Sequence, residues 1–458
     1  MKDKHKRLRP RALIIIFILI FLPMLVMVVI RMESEQPSVS FELPSKFIGL
    51  DKQLEITLED HKSGLKRFWV AVLQDGKETT LLEKHFPAVG ILHKGTTISE
   101  TIRINIEPQK IDLKDGKAML RMMAVDYSWK SWGKGNRSYS EMEIIIDTEA
   151  PIARVLTHSH NISPGGSNAV AYSLSEPCDI SGVQVADHFY PGYPNLEGKD
   201  EIRIAFFALD NQRDSGTDIF LLAKDRAGNQ TKTDFPHYIK TKKFKKDTIR
   251  ISDRFILGKL PEFQKTLAGQ SLEEPLDKFL FINREIRARN QAVLIKLMQK
   301  SDPTTHWDGT FLRLPKSATR SNFGDRRTYL YKGKSVDKQT HLGIDLASLA
   351  MSPVPAANTG RVVYAETLGI YGRLMVIDHG YGLFTMYAHL SSFNVPVGQM
   401  VKKGEIIGNT GKSGLAGGDH LHYSALISGT FVDPLEWWDA SWIHNNITNK
   451  IERSGEGE

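Results

Sequence analysis

The chain opens with a short charged segment. From Ala12 to Ile30 there then run 19 residues without a charge, broken only by Pro23. About 20 apolar residues at 1.5 Å rise cross a hydrocarbon core of ~30 Å, so this stretch predicts a transmembrane helix over 12–30. A cleaved secretory signal is the rival reading. Its apolar region is shorter and ends in small residues, whereas Val28-Val29-Ile30-Arg31-Met32-Glu33 has no such ending. The pattern then changes. Residues 37–240 alternate apolar and polar positions over short runs, as in Gln53-Leu-Glu-Ile-Thr-Leu58 and Arg121-Met-Met-Ala-Val125, with Gly, Asn, Asp and Pro between them. A period of two predicts strands with one buried face. Ala124-Val-Asp126 leads through Gly135-Asn136 to Asp147-Thr148, and Ala223-Lys-Asp225 leads through Gly228-Asn229 to Asp247-Thr248. This weak repeat predicts two tandem immunoglobulin-like β-sandwiches, 37–148 and 149–240, acting as spacers.

Residues 241–300 predict a basic linker followed by a helical bracket. Five lysines lie between Lys240 and Lys246, Ser271-Leu-Glu-Glu274 has the form of a capping box, and Leu276, Phe279, Leu280, Ile286, Val293, Leu294 and Leu297 recur at helical steps. A plug over the active site is the alternative role for this helix. From 301 to 440, short runs such as Gly360-Arg-Val-Val-Tyr364 and Leu374-Met-Val-Ile377 joined by Gly-rich turns predict a compact antiparallel β domain with a groove. Residues 441–458 are polar and predict a frayed C-terminal tail. The fold class expected is therefore mostly β.

Length and charge narrow the function. A chain of 458 residues exceeds one ordinary core and implies about three domains. The formal charge is +7, but residues 1–11 carry a net +5 of it. The basicity thus belongs to a cytoplasmic tail before the span and not to a nucleic-acid surface, which sets the N-terminus inside and the rest outside. One cysteine, Cys178, excludes an intrachain disulfide framework and a thiolate metal cluster, and it reads as a structural thiol. His158-Ser-His160 sits in a Ser/Asn/Gly/Pro-rich stretch and reads as a surface loop.

The candidate chemistry lies in His341-Leu-Gly-Ile-Asp345, Tyr387-Ala-His389-Leu and His420-Leu-His422. Residues two apart on a strand share a face, so His420 and His422 can enter one site. A catalytic zinc takes three N/O ligands and keeps a place for water, and His341, Asp345 and His422 supply such a set. His389 and His420 would then be free for proton transfer and for steadying an oxyanion. Gly408-x-x-Gly411-Lys412-Ser413 has two residues between its glycines, where a phosphate loop needs four, and reads as a tight turn. Arg320, Arg326 and Arg327 read as structural or surface arginines, with a substrate carboxylate as the alternative partner.

With Ser321-Asn-Phe-Gly324-Asp-Arg326 and Gly408-Asn-Thr-Gly411-Lys-Ser-Gly414 added to those motifs, the segment 310–438 resembles the lysostaphin-type (LytM-like) zinc metallopeptidases. The resemblance implies Zn²⁺ held by His341, Asp345 and His422, catalysis by His389 and His420, and peptide stems of peptidoglycan as substrate. It implies a single-pass protein of the bacterial inner membrane with its catalytic domain extracytoplasmic. Protein partners are not implied. Two rivals remain: a non-enzymatic wall-binding regulator that activates a separate hydrolase, and a membrane-anchored adhesion protein led by its sandwiches.

Overall fold

The computed structural model describes residues 10–43, 45–90, 94–194 and 201–456, so most of the basic tail lies outside the described residues. The first element is helix α1, Pro10–Arg31, whose 22 residues span about 33 Å. It is apolar all round, with Phe17, Leu19, Ile20 and Val29 exposed, as a helix with lipid for a solvent would be.

Among the described residues the chain divides into two compact units, 1–150 with 225–229, and 151–224 with 230–458. In the first, one antiparallel sheet joins Ser38–Glu42, Lys52–Glu59 and Ser99–Ile106. A second, mixed sheet joins Phe47–Ile48, parallel to its neighbour, with Arg137–Ile146, Gly116–Asp126, Leu65–Gln74 and Lys77–His85. The period-two pattern places Leu54, Ile56 and Leu58 of one sheet against Phe68, Val70, Leu120 and Met122 of the other in one dry core. The repeated Asp…Gly-Asn signature closes a turn. Asp126 accepts the Asn136 backbone N–H at 2.7 Å and its side-chain amide at 2.8 Å, and Asp225 accepts the same pair from Asn229 at 2.9 and 2.8 Å.

In the second unit, residues 151–240 form two four-stranded sheets around Tyr172, Phe206 and Phe207, and this core runs on without a break into that of residues 301–440. The Ser167 N–H and hydroxyl donate to half-buried Glu436 at 2.8 and 3.0 Å, the Tyr381 hydroxyl donates to the Pro194 carbonyl at 2.6 Å, and Tyr193 stacks on Tyr381. The segment read from sequence as a detached spacer is thus fused to the C-terminal domain.

Four further expectations change. His160 is fully buried on the strand His160–Ile162, held by the Thr157 hydroxyl at 2.8 Å and the Pro236 carbonyl at 3.0 Å, and burial pushes its imidazole down to about 4. Only His158 of that pair is exposed. The tail read as frayed is helical through the consecutive segments Ala440–Ile443, His444–Thr448 and Asn449–Glu456, with Ile443 and Ile447 buried and the Lys450 ammonium donating to the Asn168 side chain and the Ala169 carbonyl. Ser271 caps nothing: the helix starts at Pro275, which suits a first turn but holds Glu274 extended (ψ 142°) and cuts the helix off from residues 271–274. The lysine-rich linker ends in a strand, Lys246–Ile251, that pairs in parallel with Arg326–Tyr331.

The helical stretch 275–297 inserts Ile282, Ile286 and Leu294 into the main core, and Asn290 accepts the Ile370 N–H at 2.9 Å. Gly369 (φ +37°) lets that approach happen, since a Cβ there would lie 2.3 Å from the Asn290 amide oxygen. The C-terminal domain is built on antiparallel neighbours in the order Ala318–Ser321, Ile344–Ala347, Leu421–Ile427, Leu383–Leu390, Gly372–Asp378, Gly360–Leu368 and Met400–Val401, with Thr430–Val432 added to Leu421–Ile427. The candidate residues lie where its central strands meet the helical stretch.

Candidate active site

Sheet register brings the distant motifs together. Asp345 on Ile344–Ala347 lies directly opposite His422 on Leu421–Ile427. His341 enters from the turn after Lys334–Thr340, where its backbone N–H donates to Asp325 and its carbonyl accepts from Gly324. His341 Nε2 and His422 Nδ1 each lie 2.9 Å from Asp345 Oδ1 and 3.0 Å from each other. All three residues are less than a tenth exposed.

The outward contacts of these rings decide where their protons sit. His341 Nδ1 lies 2.9 Å from the Asn322 carbonyl, which can only accept, so the proton is on Nδ1 and Nε2 carries the lone pair. Ser424 donates its single proton to the Leu342 carbonyl at 2.7 Å, so at 3.1 Å it accepts from His422 Nε2, and His422 Nδ1 carries the lone pair. Two nitrogen lone pairs and a carboxylate oxygen therefore converge with no proton among them, an arrangement that a cation relieves. A tetrahedral zinc with bonds of about 2.0–2.1 Å separates its ligand atoms by about 3.3 Å. The observed separations are within a few tenths of an ångström of that value, so the residues fit the ion.

Gly343 is the residue that permits this packing. A Cβ at that position would lie 2.6 Å from both His422 Nε2 and Ser424 Oγ. Arg327 donates from Nη2 to Asp345 Oδ2 at 2.9 Å and turns Oδ1 toward the histidines. Burial pushes the His422 imidazole down to about 4.

His389 and His420 flank this set. His389 lies one residue before the end of the strand Leu383–Leu390, at a bulge where the pairing steps from Arg373–Leu390 to Met375–Tyr387, and it takes a left-handed φ of +64°. A bulge re-aims a side chain, and strain of this kind persists only where its surroundings hold it. His389 Nδ1 donates to the Ser413 carbonyl at 2.8 Å, which makes Nε2 its basic nitrogen. His420 pairs its backbone with Gly411, donates from Nδ1 to the Gly418 carbonyl at 2.9 Å, and sets Nε2 3.6 Å from Asp345 Oδ1. The two rings stand 4.8 Å apart. Burial holds His389 well below its ordinary value. Burial also opposes protonation of His420, yet the Asp345 carboxylate raises it.

All five residues line one cleft of about 350 Å³, whose other wall includes Ile249, Ile251, Phe255, Phe279 and Arg287. A larger cavity of about 820 Å³, bordered by Arg213, Lys338 and Thr340, shares only Arg327 with it and contains none of the five. Of the three arginines, Arg326 is held by Asn211 and Thr340, Arg320 is exposed, and Arg327 supports the site. Sequence reasoning gave no role to Asn322, Ser413 or Ser424, and read Arg327 as a structural or surface arginine or a partner of a substrate carboxylate, not of Asp345. Ser424 was the findable one, two residues beyond His422 on the same strand face.

Residues 339–434 match the family model of Peptidase family M23. The DD-carboxypeptidase/endopeptidase Mpg of Neisseria meningitidis serogroup B is 42% identical over 95 residues, 21% of this chain and 22% of that protein. The peptidoglycan DD-endopeptidase ShyA of Vibrio cholerae is 30% identical over 188 residues, 37% of this chain and 42% of that protein. The aligned stretch is thus less than half the length of either relative. Among solved structures, the catalytic domain of lysostaphin from Staphylococcus simulans is 27% identical and aligns over 28% of this chain and 96% of its own, with a TM-score of 0.24.

Proposed function

Taking as premise that the C-terminal part of the chain is a peptidase family M23 domain, we propose that the protein is a zinc metalloendopeptidase cutting peptide cross-links of bacterial peptidoglycan. In this reading α1 holds it in the cytoplasmic membrane with the catalytic domain outside. The observation that carries the proposal is the convergence of three proton-free acceptor atoms on His341, Asp345 and His422, beside two histidines whose protons are tied outward. His341, Asp345 and His422 would hold the ion, which supplies Lewis acidity that activates water and polarises a carbonyl. His389 and His420 present their Nε2 atoms from one side of the set, so that the neutral ring would receive the proton of the attacking water and the other, when protonated at Nε2, would donate to the developing oxyanion. The wall formed by Ile249, Ile251, Phe255 and Phe279 excludes water and offers apolar contact to a peptide stem.

The helical stretch serves this cleft as a bracket. Ile282, Ile286 and Leu294 are core residues, and a plug would not be built into the hydrophobic core it must leave. Arg327 acts through Asp345. Its replacement by alanine is expected to weaken zinc affinity by about 10–100-fold, as for other groups that orient a ligand. Competition against a chelating dye reads this directly, and unchanged affinity would reduce Arg327 to a structural ion pair.

The proposal is tested by incubating the full-length chain, in detergent with zinc, with cross-linked muropeptide dimers. Conversion to monomers with new amino ends, stopped by a chelator, is expected. Dimers that persist while the chain stimulates a separate wall hydrolase would favour the non-enzymatic regulator.

A further inference from the structure

In the first unit, the loop Tyr127-Ser-Trp-Lys-Ser-Trp-Gly-Lys-Gly135 is bound to the end of α1. The Trp129 N–H donates to the Arg31 carbonyl at 2.7 Å, and the Ser128 hydroxyl lies 2.9 Å from the Glu33 carbonyl. The Arg31 guanidinium donates to the Tyr127 carbonyl at 3.1 Å and stands over the Trp129 ring at 5.6 Å. On the far side of the loop, the Lys66 ammonium donates to the Gly133 carbonyl at 3.1 Å.

Between these fixed points the backbone is forced out. Ser131 (φ 54°) and Trp132 (φ 58°) are both left-handed, a conformation that L-residues avoid, and Gly133 follows at φ 77°. The product is a fully exposed indole, Trp132 at 102%, between exposed Lys130 and Lys134. No acidic residue occurs from 127 to 135. The nearby acids are already engaged: Glu35 pairs with Lys62, and Glu33 accepts from Ser63 and Asn136.

We propose that this loop is a second membrane contact, with Trp132 seated at the headgroup–acyl boundary of the bilayer and Lys130 and Lys134 on anionic headgroups. The inference rests on the reading of α1 as a membrane span. Three residues reach at most about 11 Å from Trp129, which is bonded to the last residue of α1, while the polar zone of each leaflet is about 5–8 Å deep. Trp132 is therefore placed within reach of that zone by the element that crosses it. Tryptophan and lysine are the side chains that settle there, the indole by its amphipathic ring and the ammonium by attraction to anionic lipid. The role of such a contact is orientation. A single helix is free to tilt and rotate in the bilayer, and a second contact beside its end fixes the tilt of the first unit.

The test places the full-length chain in nanodiscs of mixed zwitterionic and anionic lipids brominated near the top of the acyl chains, and compares it with Trp132→Phe. The bromolipids are expected to quench part of the tryptophan fluorescence, and the variant to lose most of that quenching. Both proteins should stay with membranes after an alkaline wash and cleave muropeptides equally. Retention in the membrane with no bromolipid quenching, or with quenching unchanged in Trp132→Phe, would overturn the proposal. Release of the full-length chain by the wash would instead sink the reading of α1 as an anchor, and the loop contact with it. A change in Trp132 emission caused by soluble muropeptides and not by lipid would reassign the patch to the wall polymer.

Discussion

Replacing Asp345 by Asn or His422 by Ala is expected to remove zinc and hydrolysis in one step. Asp345 Oδ1 is the only anionic atom among the three that converge, and it stands 2.9 Å from both histidine nitrogens. Without its charge the pocket offers two neutral imidazoles 3.0 Å apart, one of which must turn or take a proton. Loss of the Lewis acid removes several kcal/mol of transition-state stabilisation, and at about 1.4 kcal/mol per decade hydrolysis should fall by about 10³-fold or more. Two variants are needed because Asp345 also faces Arg327. Stripping the carboxylate leaves the half-buried Arg327 guanidinium with Asp247, 3.8 Å away, in place of its 2.9 Å partner, which costs stability by itself. His422→Ala leaves that ion pair intact. If its melting temperature with chelator present equals that of the parent under the same conditions, loss of activity belongs to the metal and not to the fold. Full activity in His422→Ala would show that the ligand set is wrong.

The second large effect separates chemistry from metal. His420→Ala is expected to keep stoichiometric zinc and lose hydrolysis by about 10²–10⁴-fold, the range for a positioned general acid or base. His389 is best changed to Asn, which tolerates the left-handed backbone observed at φ +64° and so leaves the bulge in place. The two rings stand 4.8 Å apart in one cleft, and if they act on the same substrate atoms as proposed, the double variant should cost less than the two single losses combined. Zinc lost from either variant would turn that residue from a proton carrier into a ligand. Hydrolysis retained in both would remove the two histidines from the mechanism.

The parts of the fold legible in the sequence are those set by local pattern. An uncharged run of helix-spanning length gave α1, and strict alternation gave strands such as Lys52–Glu59, whose Leu54, Ile56 and Leu58 are all buried. The convergence of the five candidate residues was legible because strand periodicity and short spacings carry them, and the register of Asp345 against His422 brings their motifs into contact. The misses have a common cause. The fusion of residues 151–240 to the C-terminal domain depends on contacts such as Ser167 with Glu436, 269 residues apart, which no local window contains. His160 was misjudged because its Ser/Asn/Gly/Pro surroundings suggest exposure, while its burial comes from the strand pairing with His237–Ile239 and from the Pro236 carbonyl. The C-terminal helix was hidden by its polar composition, since its burial relies on Ile443 and Ile447 one turn apart and on a lysine satisfied by distant acceptors. Arg327 was hidden for a different reason: an arginine in a strand says nothing about which carboxylate it meets.

The measurement that bears most directly on the central claim is the metal content of the purified full-length chain, taken beside its cleavage of muropeptide dimers, for the parent, His422→Ala and His420→Ala. Stoichiometric zinc with cleavage is expected in the parent, neither in His422→Ala, and zinc without cleavage in His420→Ala. A parent chain that binds no zinc, or that still cleaves when His422→Ala has emptied the site, would contradict it.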